Sequence, residues 1–112
     1  LNIWCWPMGS GEIHDYMLDE KMPPEVRTGA MPKLNADNPV GEWNRFEITV
    51  RGDRLIVVLN GKTVIPNTQL PGIPVRGPIG LQHHGGFRDG RYLAGSSLVQ
   101  FRNILIKELP AQ

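Results

Sequence analysis

The stretch that most constrains this chain is residues 43–65, WNRFEITVRGDRLIVVLNGKTVI, and within it the dipeptide Asn60-Gly61. Asn-Gly between two apolar runs is the strongest short hairpin signal, because a type I′ turn needs positive φ at both central residues. Upstream, Phe46, Ile48 and Val50 alternate with Glu47, Thr49 and Arg51, the period of a half-buried strand. Arg51-Gly52-Asp53 reads as a tight turn. The same letters form an integrin-type tripeptide, but glycine between charged residues at a hairpin tip is ordinary turn chemistry. Residues 55–59, LIVVL, are apolar on both faces, as in a strand inside a sandwich. Residues 62–65 run back, and Pro66 ends the pairing by removing a backbone donor. Three antiparallel strands are therefore the expected centre, and the rest must pack against them.

A chain of 112 residues suits one domain, 1–112, with a single core. Charge is nearly balanced, 12 Lys+Arg against 11 Asp+Glu, with no basic run. Counterion release needs clustered cations, so nucleic acid is not an expected partner. The apolar runs are a few residues long, too short to span a bilayer, and no membrane partner is expected. Cys5 is the only cysteine, so neither an intrachain disulfide nor a Cys-based zinc site can form. Leu1 is not an initiator methionine, which leads us to expect further chain upstream.

Residues 1–7, LNIWCWP, read as a strand with Asn2, Trp4 and Trp6 on one face. Two tryptophans at that spacing either stack in a core, the commoner use, or form a platform for a sugar ring. Residues 12–19, EIHDYMLD, read as extended, with Glu12, His14 and Tyr16 on one side. A carboxylate and an imidazole sharing a face make an acid/base pair, or a solvated polar face of an antiparallel sheet. Residues 20–40 hold Pro23, Pro24, Pro32 and Pro39, so helix is not expected over most of them. A long ordered loop of this kind is often functional, and Arg27 or Lys33 could reach a ligand from it.

Residues 77–86, GPIGLQHHGG, read as a short strand with Ile79, Leu81 and His83 towards the core. Gln82 and His84 then face the open side beside Gly80, which allows close ligand approach. Adjacent histidines on a strand point apart and cannot share one ion without distortion, so no cofactor is expected, with a divalent metal as the alternative. Residues 87–97 read as a polar loop, and residues 98–109 as the closing strand before Pro110.

Taken together, GEWNRFEITVRGDRLIVVLNGKTVI, GPIGLQHHG and LVQFRNILIKEL, in that order, resemble the 3-keto-disaccharide hydrolase domain family. The opening NIWCWPMGSGEIHDYMLD looks like its variant with a CWP loop. The resemblance implies an all-β fold, a concanavalin A-like jelly-roll sandwich of antiparallel strands related to lectins and glucanases. It implies a concave face that receives carbohydrate, and export, periplasmic or extracellular, from a bacterium. It also implies cleavage of glycosides oxidised at C3, where the ketone acidifies the neighbouring C–H and elimination replaces the usual carboxylate pair. Carried over position by position, the family's Glu falls on Glu12, its Gln and His on Gln82 and His84, and its GEWN tryptophan on Trp43, expected under the sheet. His14 stands where the family usually has Gln.

The chain looks like the C-terminal portion of the family domain, whose first strands precede the position of Leu1. The expectation is a sandwich incomplete within this chain, completed by a second copy or by a separate N-terminal chain. Two functions follow. The first is a 3-keto-glycoside hydrolase or lyase with Glu12 and His84 catalytic, and His14, Gln82, Trp4, Trp6 and Arg27 binding substrate. The second is a non-catalytic, lectin-like carbohydrate-binding module of the same fold.

Overall fold

In a computed structural model of the chain, the structure describes residues 1–3, 7–82, 85–94 and 99–110. Strand is the main regular structure: β1 Phe46–Arg51, β2 Arg54–Leu59, β3 Lys62–Gln69, β4 Gly85–Arg88 and β5 Arg91–Ala94. Two short helices, α1 His14–Leu18 and α2 Pro24–Gly29, precede them. The fold is all-β in class. The chain divides into two compact units, Leu1–Val75 and Arg76–Gln112.

The first unit is built on the expected meander, an antiparallel sheet in the order β1-β2-β3. Asn60 and Gly61 both have positive φ, 52° and 79°, as a type I′ turn requires. At the other hairpin Gly52 alone is positive, φ 57°, the pattern of a type II′ turn. β1 and β2 pair in unbroken register from Phe46↔Leu59 to Arg51↔Arg54.

β3 departs from its expected end. It continues past Pro66 to Gln69 because the register slips twice, from Leu55↔Thr68 to Val57↔Ile65 and again to Val58↔Thr63. The first slip leaves Pro66 and Asn67 opposite Ile56, so the missing proline N–H interrupts no ladder bond. The second makes Val64 the extra residue, and Val64 and Ile65, though adjacent, are both fully buried.

Leu55, Val57, Leu59, Val64, Ile65, Leu70 and Ala36 form the core, with Ile13, Tyr16, Phe46 and Ile73 packed at its margin. β2 is not buried on both faces as expected, since Ile56 on the other side is exposed and Val58 only half-buried. Trp43 corrects a second expectation: it is 45 % exposed rather than packed under the sheet.

Residues 12–19 are not extended. Ile13, Tyr16 and Met17 have the i, i+3, i+4 spacing of one helix face, and α1 brings Ile13 and Tyr16 to the core. Tyr16 Oη donates to the Pro71 carbonyl at 2.8 Å. The prolines at 23 and 24 do not preclude a helix but start one. Pro24 sits in the first turn of α2, where its missing N–H has no helical partner to lose, and Val26 is buried.

In the second unit, Asp89 and Gly90, φ 52° and 76°, close the β4–β5 hairpin where a polar loop was expected. Residues 77–82 and 99–110 are exposed and outside any strand, against the two strands expected there. Within the second stretch Asn103 has φ 54°, a left-handed residue that an extended strand does not accommodate. No helix among the described residues is long and apolar enough to cross a membrane.

Candidate functional site

Residues 9–14 bend tightly across the core, and the bend is fixed by backbone conformation. Gly11 has φ 118°, and a Cβ there would lie 3.1 Å from Val64 Cγ2, so glycine alone brings this segment so close to β3. Asn2 pairs with the bend through two backbone bonds, Asn2 N–H to the Glu12 carbonyl and Gly11 N–H to the Asn2 carbonyl, each 2.9 Å. Ile13 N–H donates to the Ala30 carbonyl, 2.9 Å, tying the bend to the end of α2. Ser10 is anchored by Asp37, whose two carboxylate oxygens accept from Ser10 N–H at 2.9 Å and Ser10 Oγ at 3.0 Å.

These supports place Glu12 where a carboxylate rarely sits. Its residue exposure is 2 %, so it does not lie on an open face as the alternating pattern suggested. Burying a charge is costly unless hydrogen bonds replace water. Glu12 Oε1 accepts from Asn2 Nδ2 at 2.8 Å and meets His14 Nδ1 at 2.9 Å. The His14 side chain, at the first position of α1, is 41 % exposed.

With Glu12 ionised the carboxylate only accepts, and the contact then puts the imidazole hydrogen on Nδ1. In the neutral ring the basic nitrogen is then Nε2. A buried carboxylate that orients an imidazole with partial access to water is the arrangement that sets a histidine up as a general base.

The other expected site residues fall elsewhere. Arg27 is half-buried and its Nε donates to the Met17 carbonyl at 3.1 Å, which ties α2 to α1. Gln82 is exposed and belongs to the second unit. Trp4, Trp6 and His84 lie outside the described residues. Among the described residues no group of three His, Cys, Asp or Glu side chains could hold a metal ion. Asn2 was missed as a site residue, because the alternating reading grouped it only with the tryptophans. A recess of about 130 Å³ between Arg45, Glu47, Val58 and Gly61 is smaller than sites that enclose a sugar, and neither Glu12 nor His14 lines it.

No curated protein and no solved structure matches the chain. A family model does, that of the 3-keto-alpha-glucoside-1,2-lyase-like domain, over residues 5–107. The match takes in the Glu12–His14 bend, the whole meander and nearly all of the second unit. The chain belongs to the 3-keto-alpha-glucoside-1,2-lyase-like domain family.

Proposed function

We propose that this chain contributes the proton-abstracting site of a carbohydrate-active lyase or hydrolase acting on 3-keto-glycosides. The observation that carries the reading is the 2.9 Å contact between the buried Glu12 carboxylate and the partly exposed His14 imidazole, in a chain of this family that carries His at a position where Gln is usual. His14 Nε2 takes the proton from C2 of the sugar, which the C3 ketone has acidified. The electron pair moves first into the enolate and then into a C1=C2 bond. The C1–O bond breaks and the aglycone leaves as an alcohol after gaining a proton. Addition of water to the unsaturated sugar turns the same sequence into net hydrolysis.

Glu12 acts through His14. It fixes the tautomer and stabilises the imidazolium that forms, while its burial keeps it from the substrate. Gln82, Arg27, Trp4 and Trp6 remain proposals as substrate contacts, with the two tryptophans offering stacking faces, and His84 remains proposed as a catalytic group. Export is proposed on the same family grounds.

The test is incubation with a 3-keto-glucoside and with its unoxidised parent, for the native chain and for His14→Gln. Cleavage of the keto sugar alone is expected, falling by about 10²–10⁴-fold in His14→Gln. Saturable binding without cleavage by the native chain would replace this reading with the lectin-like one. Cleavage that survives His14→Gln would remove the imidazole from the mechanism.

A further inference from the structure

The turn at Asn60-Gly61 does more than reverse the chain. Asn60 Nδ2 donates to the Ala36 carbonyl and to Asn44 Oδ1, each at 2.8 Å, and Asn60 Oδ1 accepts from Arg45 N–H at 2.9 Å. The Arg45 N–H can only donate and the Ala36 carbonyl can only accept, which fixes the two ends of the Asn60 amide. Asn60 N–H adds a bond to the Arg45 carbonyl at 2.9 Å. Asn44 Oδ1 also accepts from Asn38 N–H at 2.8 Å, and Asn38 Nδ2 donates to the Trp43 carbonyl at 2.8 Å. The side-chain amide of Asn60 is therefore a clasp that fastens residues 36–45 to the β2–β3 hairpin. It works as donor and acceptor at once, which an ionised aspartate, an acceptor only, cannot copy.

Asn60 is also the one asparagine in the sequence that a glycine follows. Glycine has no side chain to shield its nitrogen, and that nitrogen is the nucleophile when asparagine loses its amide. The Gly61 N–H gives its proton to hydroxide, and the nitrogen bonds to Asn60 Cγ. The Cγ–Nδ2 bond breaks, and Nδ2 leaves as ammonia after gaining a proton. Water then opens the five-membered imide at either carbonyl, giving aspartate or the isomer whose main chain runs through Cγ. Gly61 is exposed, so hydroxide and water reach the turn. Ring closure must swing Cγ onto the Gly61 nitrogen, and the three side-chain bonds of Asn60 oppose that rotation.

We propose that Asn60-Gly61 is a deamidation site gated by this clasp, and that loss of the amide is a one-way release of residues 36–45 from the hairpin. While the clasp is closed the reaction waits for local opening, so its rate follows the population of the open form. Aspartate then puts a carboxylate oxygen where Nδ2 was, facing the Ala36 carbonyl and Asn44 Oδ1, both acceptors. The clasp cannot close again on that product. The isomer lengthens the main chain within a two-residue turn, which the Leu59↔Lys62 pairing does not accommodate. The proposal is independent of the sugar chemistry.

The full chain, held in mildly alkaline buffer with and without unfolding urea, reads the gate. Trypsin cuts after Arg54 and Lys62, and mass spectrometry of residues 55–62 follows the change from amide to acid. Deamidation in the folded chain is expected to run about tenfold or more slower than in urea, where the clasp is absent. Asn44→Ala removes one acceptor of the clasp and leaves the reacting atoms untouched. It should speed the reaction in the folded chain by about two- to tenfold and leave the rate in urea unchanged. Asn44→Asp keeps that acceptor and should stay near the native rate, and circular dichroism checks that both variants are folded. Asn60→Asp, the product itself, should unfold at a lower denaturant midpoint than the native chain. Equal rates with and without urea would overturn the proposal. So would an Asn44→Ala rate no faster than native, or an Asn60→Asp midpoint that does not fall.

Discussion

Among the polar groups that replace water at Glu12 are Asn2 Nδ2 and His14 Nδ1, and the burial of the carboxylate makes both matter. Replacing the carboxylate by an amide of the same shape keeps the packing and removes the charge that holds the hydrogen on Nδ1. For Glu12→Gln the expected result is a kcat lower by about 10²–10⁴-fold with KM within a few-fold of native. Nitrogen NMR of the His14 ring should report loss of the single tautomer, a change that a purely packing role for Glu12 would not produce. At this scale the alternating pattern put Glu12 and His14 on one face, and the structure brings them together with a different geometry. Two residues apart on a strand, Glu12 and His14 would both face solvent. The bend at Gly11 and the start of α1 at His14 instead bury one and leave the other partly open. No local pattern carries that outcome, because it depends on Asn2, ten residues from Glu12, and on Asp37, 27 residues from Ser10.

At the scale of elements, the bulge that brings Val64 inward lets both β2 and β3 close over one core. Leu59 lies fully buried within it, paired with Phe46 on one side and Lys62 on the other. Leu59→Ala should cost about 2–5 kcal/mol of unfolding free energy, read as a lower denaturant midpoint at unchanged m-value. A cost under about 1 kcal/mol would mean that the core collapses around the gap. The meander was legible because Asn60-Gly61 and the alternation from Phe46 to Val50 are local signals. Asp89-Gly90 carries the same turn signal, and the β4–β5 hairpin was there to be read from it. α1 was hidden because five residues hold too few apolar positions to separate a period of 3.6 from one of 2. α2 was hidden by treating Pro23-Pro24 as a barrier when proline favours a helix's first turn. Residues 99–110 carry a strand-like pattern, but a strand needs a neighbour, and Asn103 takes a left-handed conformation instead.

For the molecule as a whole, order should differ between the two units. The interior amides of β2 should exchange only on global unfolding, whereas those of residues 99–110, exposed and outside any strand, should exchange near the rate of an unstructured chain. Hydrogen exchange followed by mass spectrometry checks both, and protection across 99–110 would show that the stretch has joined a sheet. The two hairpins of the meander have a further consequence, for the order of events in folding. Their turns close loops of two residues, while Ser10–Asp37 spans 27 residues and Tyr16–Pro71 spans 55. Closing a loop costs more entropy as it lengthens, so the sheet forms before the bend that carries Glu12 and His14 docks on it. Leu59→Ala should therefore slow folding, and Glu12→Gln should act mainly by hastening unfolding. A chain caught midway would already own its sheet and still lack an oriented imidazole.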